Sequence, residues 1–158
     1  MSNQENVFET ILAPMTGTAV AITEVPDPIF IEKILGDGIA IVPTEGKVVS
    51  PVDGTVSKVA ETGHIYAVTS DNGVEVVITV GLETVALNGK CFQIHVKEGD
   101  KVKAGDLLAD AYLEFIKETG RNFITPIVIG SSLEGKELVC EEGEVQAGKT
   151  VIMEIKQK

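Results

Sequence analysis

Tryptophan is absent from this 158-residue chain, and aromatic residues make up only 4% of it. The core must therefore be built from valine, isoleucine, leucine and alanine, within an apolar fraction of 44%. Basic residues are also scarce: 13 lysines and arginines stand against 24 acids, for a net charge of −11. Nucleic acid as a partner is disfavoured because it needs a basic surface, whereas an acidic surface suits a basic protein partner.

Cysteines and long apolar runs are scarce as well. Cys91 and Cys140 are the only cysteines, too few for a zinc ribbon, and we expect two free thiols in a cytoplasmic protein. The first residues are polar and acidic, without a signal-peptide pattern, and no apolar run approaches the length of a membrane span. We therefore expect no direct membrane insertion.

Sixteen glycines lie among many β-branched residues, a pattern that predicts short strands joined by tight turns. The length predicts one domain. We expect a flexible N-terminal tail over residues 1–8 and a single all-β sandwich of short, mostly antiparallel strands over residues 9–158. Helix is expected only as one or two short turns, over residues 28–35 and 113–117.

Two short patterns each occur twice. Ala-Pro-Met-Thr-Gly-Thr at residues 13–18 is echoed by Ser-Pro-Val-Asp-Gly-Thr at residues 50–55, and the turn at residues 98–106 is echoed at residues 142–149. These pairs favour an internally duplicated β scaffold, with convergent turn chemistry as the alternative. The patterns also resemble biotinyl and lipoyl carrier domains, but the expected hairpin tip is Asp-Asn-Gly and lacks their lysine.

The clearest hairpin turns at Asp-Asn-Gly, residues 71–73. A two-residue Asn-Gly loop predicts Tyr66 opposite Thr79 and His64 opposite Gly81. His64, Tyr66 and Thr79 would then share one face, whereas a loop one residue longer would split the faces. The residues predicted to form the core face of the second strand are Val74, Val76, Ile78 and Val80.

From about Leu12 to Ile155 the chain resembles the glucose-family IIA proteins of the bacterial phosphoenolpyruvate-dependent sugar phosphotransferase system. Several local matches carry this resemblance, at residues 36–41, 50–56, 61–64, 70–75 and 81–85. The resemblance implies the β-sandwich fold of that family. It also implies a role in sugar uptake as a phosphocarrier.

The resemblance implies a site at which two histidines face each other. In the family, one histidine accepts a phosphoryl group from the histidine phosphocarrier protein and passes it to the IIB domain of a sugar transporter. By position, Thr79 replaces that acceptor, His64 is the supporting histidine, and Thr62 would orient its ring. A threonine phosphate is an alkyl ester that forms with difficulty and passes its phosphoryl group on poorly, so we expect relay activity to be impaired.

The resemblance also implies a docking surface for the two partners around this site. Its expected residues are Ile29, Phe30, Ile34, Leu35, Val77, Gly81, Glu83 and Val85. No cofactor is expected. No metal site is expected either, because the hydroxyl group of Thr79 is a poor zinc ligand.

Three functions are therefore compared. The first is a IIA component of the sugar phosphotransferase system, with doubtful relay activity. The second is a pseudo-phosphocarrier, a regulatory binding protein that docks the same partners without phosphoryl transfer. The third is an unrelated β-scaffold enzyme. Metallopeptidases with a similar duplicated β scaffold use a His…Asp…His-X-His zinc set, which does not fit a chain whose only histidines are His64 and His95.

Overall fold

The computed structural model describes residues 7–82, 91–120 and 122–158. Within these ranges the fold is almost entirely β. The strands are β1 (Val7–Leu12), β2 (Gly17–Ala21), β3 (Gly38–Pro43), β4 (Lys47–Val49), β5 (Gly54–Val59), β6 (Ile65–Ser70), β7 (Glu75–Thr79), β8 (Phe92–Ile94), β9 (Lys101–Val102), β10 (Leu107–Ala111), β11 (Thr125–Ile129), β12 (Lys136–Cys140), β13 (Gly143–Val145) and β14 (Val151–Gln157). The helices are α1 (Pro28–Ile31), α2 (Leu113–Glu118) and a 3-10 turn (Ile22–Glu24).

These elements confirm the predicted all-β class with short helical turns. The α-helical part of the first predicted turn ends at Ile31, before Leu35. The first strand begins at Val7, which pairs with Lys156 of β14, so residues 7 and 8 belong to a strand and not to a tail. Both cysteines are free, as expected, with Cys91 buried and Cys140 exposed.

The strands form three antiparallel sheets that share one core. The large sheet has the order β13-β2-β3-β11-β7-β6-β5-β9, and the two small sheets are β1-β14-β12 and β4-β10-β8. Apolar side chains from all three sheets meet in the main buried cluster, represented by Ile11, Leu108 and Ile127. The predicted core face of β7 is confirmed. Val76, Ile78 and Val80 are fully buried, and Val74 is only 5% exposed.

The large sheet is built from two equivalent halves. Each strand of one half has a counterpart at the same distance from the other edge. The pairs of counterparts are β13 and β9, β2 and β5, β3 and β6, and β11 and β7. The centre is the β7–β11 pair, where Ile78 lies opposite Ile127. Residues 13–18 and 50–55 lead into the matched strands β2 and β5. The predicted internal duplication is therefore confirmed.

Reciprocal hydrogen bonds join the two halves. The backbone N–H of Leu12 donates to the carbonyl oxygen of Pro51 at 3.0 Å, and that of Val49 donates to Pro14 at 2.8 Å. Leu12 and Val49 each directly precede a repeated pattern, and Pro14 and Pro51 are the second residues of those patterns. The repeats thus act as one structural unit, each supplying a backbone acceptor for the other.

A smaller apolar cluster lies on the second face of the large sheet. Alternating residues of β3, β11 and β7 point away from the main core, and α1 with the 3-10 turn covers them. The members of this cluster are Ile22, Val25, Phe30, Ala40, Ile124 and Val128, with Val20, Val77 and Leu82 packed against them. Asp27 caps α1 by accepting a hydrogen bond from the Ile29 N–H at 3.1 Å, and Pro28 opens the helix.

Candidate functional site

His64 follows a tight turn that leads into β6. The N–H of Gly63 donates to the carbonyl oxygen of Ala60 at 2.8 Å, and Gly63 has a left-handed φ of 76°. A Cβ atom added to Gly63 would lie 2.9 Å from the Cβ of Phe92. Glycine is therefore required here both by the backbone conformation and by the space available, and the turn holds Thr62 and His64 close together.

The ring of His64 is held by a side-chain hydrogen bond. The hydroxyl group of Thr62 is bonded to Nδ1 of His64. This bond uses one ring nitrogen and orients the imidazole, and it leaves Nε2 as the nitrogen that could meet a partner.

The half-buried position of His64 lowers the pKa of its imidazole below the ordinary value, and the positive charge of Lys58 lowers it further. The lowered pKa favours the neutral form of the ring. Lys58 is a site residue that sequence reasoning missed. It follows an irregularity in the β5–β6 pairing between Val56 and Lys58, which no local sequence pattern reveals.

Thr79 ends β7, next to the His64 turn. Its partner across the β6–β7 ladder is Ile65, the residue that follows His64. The N–H of Val80 donates to the carbonyl oxygen of His64 at 2.7 Å, so the predicted pairing of His64 with Gly81 is wrong by one residue. The backbones of Thr79 and His64 thus lie at the same end of neighbouring strands.

Tyr66 does not take part in the site. The N–H of Ser70 donates to the carbonyl oxygen of Val74 at 2.7 Å, which closes a three-residue loop over residues 71–73 in place of the predicted two-residue loop. Tyr66 consequently pairs with Ile78 and is fully buried. The prediction that Tyr66 lies opposite Thr79 and shares its face is wrong, because one extra loop residue moves a side chain to the other face.

The hydroxyl group of Tyr66 is buried, and within the described ranges it has no hydrogen-bond partner. Burial raises the pKa of this phenol, with a smaller contribution from Cys91. Tyr66 and Cys91 both belong to the main buried cluster. Tyr66 is therefore a core residue with an unsatisfied polar atom.

The residues expected to form the docking surface differ widely in exposure. Phe30 is buried as a member of the smaller apolar cluster, and Val77 packs against that cluster. Ile29, Ile34 and Leu35 are exposed, with 67% of Ile34 accessible to solvent. Gly81 follows β7 in a left-handed conformation and is buried, whereas the predicted positions Glu83 and Val85 lie outside the described residues.

Among the described residues, no three His, Cys, Asp or Glu side chains are grouped to hold a metal ion. Within those ranges, no helix has the length and apolar character needed to cross a bilayer.

Comparison with known proteins gives consistent matches over most of the chain. The family model for the phosphoenolpyruvate-dependent sugar phosphotransferase system, EIIA 1, matches residues 9–134. The chain is 46% identical over 151 residues to the PTS system glucose-specific EIIA component of Bacillus cereus, a match that covers 95% of this chain and 92% of that protein.

Two further relatives extend the comparison. The PTS system N-acetylglucosamine-specific EIICBA component of Klebsiella pneumoniae is 42% identical over 151 residues, which is 95% of this chain but 23% of that protein. The solved structure of glucose permease IIA from Mycoplasma capricolum superposes with a TM-score of 0.86 at 34% identity, and covers 92% of this chain and 94% of that one.

Proposed function

Because this chain belongs to the EIIA 1 family of the phosphoenolpyruvate-dependent sugar phosphotransferase system, we propose that it docks the partners of a glucose-family IIA protein without efficient phosphoryl relay. The proposed partners are the histidine phosphocarrier protein and the IIB domain of a sugar transporter, and the proposed location is the cytoplasm. The observation that carries the proposal is the threonine at position 79, beside the His64 turn.

The chemistry of Thr79 supports docking without relay. A relay needs an acceptor that is nucleophilic at neutral pH and that releases the phosphoryl group readily. An alcohol must first lose its proton to a base. The imidazole of His64, the residue before the adjacent strand β6, is a weakened base, since its pKa is lowered, and its Nδ1 is already hydrogen-bonded to Thr62.

Exposed apolar residues that follow α1 support the docking part of the proposal. Ile34 and Leu35 expose apolar side chains, and the acidic chain carries a net charge of −11. An exposed apolar patch on a charged protein is typical of a binding surface. The net negative charge would also attract a basic partner.

The test combines a binding measurement with a phosphoryl-transfer measurement. Histidine phosphocarrier protein is titrated into the chain and followed by calorimetry, and its phosphorylated form is then incubated with the chain and followed by intact mass. We expect binding without stoichiometric phosphoryl transfer. Leu35→Asp should weaken binding about tenfold, whereas the matched change Leu107→Asp, at an exposed position at the start of β10, should leave it unchanged.

Two results would count against the proposal. Stoichiometric, acid-labile phosphorylation mapped to His64 would make His64 the acceptor and restore the relay function. A failure of the wild-type chain to bind either proposed partner would remove the docking function.

A further inference from the structure

The hairpin tip between β6 and β7 carries an Asn-Gly pair in an exposed loop. Asp71, Asn72 and Gly73 are all exposed, and a Cβ atom added to Gly73 would meet nothing within 4 Å. When glycine follows asparagine, no side chain obstructs the approach of the glycine nitrogen to the asparagine amide group. The neighbour of Asn72 is therefore the residue type that most favours loss of this amide group.

The amide group of Asn72 joins the hairpin tip to β1. Its Nδ2 donates to the carbonyl oxygen of Phe8 at 3.1 Å and to Oε1 of Glu9 at 3.3 Å. The ammonium group of Lys136 lies over the ring of Phe8, 4.7 Å from the ring centre, and so holds the same part of β1. The contact between the tip and β1 thus depends on an uncharged donor at position 72.

Hydrogen bonds within the loop restrain the second group that deamidation needs. The backbone N–H of Gly73 donates to the carbonyl oxygen of Ser70 at 2.8 Å, and the N–H of Val74 donates to the Ser70 hydroxyl group at 3.1 Å. The Gly73 nitrogen has to lose its proton and approach Cγ of Asn72, so these bonds must open before the reaction. A short exposed loop opens locally at a smaller cost in free energy than global unfolding.

We infer that Asn72 is a site of spontaneous deamidation in the folded protein, and that its contacts with β1 and within the loop control the rate. The deprotonated nitrogen of Gly73 attacks Cγ of Asn72, an N–Cγ bond forms, and the Cγ–Nδ2 bond breaks. The Nδ2 group leaves as ammonia with the proton from Gly73, and a succinimide ring remains. Water then opens this ring at either carbonyl carbon, which leaves aspartate or isoaspartate at position 72.

The product disrupts the contact that the amide group makes. A carboxylate at position 72 cannot donate to Phe8, and it faces the carboxylate of Glu9. Glu9, Asp53 and Asp71 already line a hollow of about 300 Å³ that Asn72 also lines, so the new charge joins three of the same sign. Deamidation therefore releases the hairpin tip from β1.

The rate of deamidation is measured by mass spectrometry of peptides from the full chain, after incubation in mildly alkaline buffer with or without concentrated urea. A second Asn-Gly pair, at residues 88–89, serves as the internal reference in urea. In urea we expect the two pairs to react at the same rate. Without urea, we expect Asn72 to react about tenfold more slowly than it does in urea.

A pair of lysine variants tests the control by β1. Lys136→Ala removes the cation over Phe8 and should speed the reaction of Asn72 in the folded protein about twofold. Lys47→Ala is the matched control, at an exposed position of β4, and should leave the rate unchanged.

The effect of the product on β1 is measured with Asn72→Asp. The amide protons of β1 should exchange with solvent about tenfold faster in this variant, because the strand loses its contact with the hairpin tip. Asn122→Asp is the matched control: the side-chain oxygen of Asn122 accepts from the Ile124 N–H at 2.9 Å, which a carboxylate can also do, so exchange in β1 should not change. Adding Glu9→Gln to Asn72→Asp should recover part of the protection, because it removes one of two facing negative charges.

Three results would overturn the inference. No conversion of Asn72 without urea, over a period in which it converts completely in urea, would show that the folded loop does not react. Equal rates for Asn72 with and without urea would show that the contacts do not control the reaction. Unchanged exchange of the β1 amide protons in a folded Asn72→Asp variant would show that the amide group does not hold the strand.

Discussion

The carbonyl oxygen of His64 accepts a 2.7 Å hydrogen bond from the N–H of Val80. This bond fixes the end of β7, where Thr79 is the last residue, against the backbone of His64. The equivalent bond in the other half of the duplicated sheet runs from the N–H of Ile129 to the carbonyl oxygen of Asp37 at 2.9 Å. The scaffold that holds the candidate site is therefore present twice. Only the half with His64 carries an imidazole at this position.

Thr79→His is expected to restore at least part of the acceptor activity, because it places an imidazole at the end of β7 beside the His64 turn. The measurement is the amount of acid-labile phosphoryl group on the protein after incubation with phosphorylated histidine phosphocarrier protein. Tyr66 lies on the opposite face, so adding Tyr66→Phe should not change the result. A folded Thr79→His variant that takes up no phosphoryl group would show that the site lacks more than its acceptor.

Tyr66→Phe is expected to raise the free energy of unfolding by up to about 1 kcal/mol, because it removes a buried hydroxyl group that has no partner in the described structure. Urea denaturation measures the change. Tyr112→Phe is the matched control, since the Tyr112 hydroxyl donates to Gln93 at 3.3 Å and is exposed. Its effect should be within about 0.5 kcal/mol. A clear loss of stability in Tyr66→Phe would show that a buried water molecule satisfies this hydroxyl.

His64 is expected to titrate below the ordinary histidine pKa of about 6.5. In the pH range between the lowered folded value and the unfolded value, the unfolded chain binds more protons. The contribution of His64 to stability is therefore complete above about pH 6.5 and is lost as the pH falls below it. His64→Gln should reduce this loss, as measured by urea denaturation at several pH values.

The contribution of Lys58 to the lowered pKa of His64 is tested separately with Lys58→Met. This change removes the positive charge near His64 and should raise the His64 pKa without reaching the ordinary value, since burial is the larger cause. The ring protons of the two histidines in NMR spectra provide the measurement. A His64 pKa at or above about 6.5 in the wild type would contradict the prediction.

Gly17→Ala and Gly54→Ala are expected to destabilise the fold by similar amounts, about 3 kcal/mol or more. An added Cβ atom would lie 2.1 Å from the carbonyl oxygen of Val42 in the first case and 2.0 Å from that of Thr69 in the second. Gly73→Ala is the control: Gly73 has a φ of 87° but an added Cβ atom meets nothing within 4 Å, so the cost should be only about 1 kcal/mol. Thermal unfolding distinguishes the two classes, and clearly unequal costs at Gly17 and Gly54 would contradict their equivalence.

Much of the fold could be predicted from residue patterns alone. Glycine-punctuated β-branched segments correctly predicted short antiparallel strands, and the alternation along β7 correctly predicted Val76 and Ile78 as core. The repeated turn patterns at residues 13–18 and 50–55 correctly predicted a duplication that the matched strand order confirms. These features depend on neighbouring residues in the chain, so local chemistry is sufficient to reveal them.

The candidate site could be predicted from the sequence only in part. The identities of Thr62, His64 and Thr79 are visible in the chain, but their arrangement depended on the loop at residues 71–73. Both a two-residue and a three-residue loop are compatible with its Asp-Asn-Gly sequence. The Ser70–Val74 pairing decided between them in the folded sheet, and because side chains alternate with a period of two, that single residue moved Tyr66 into the core.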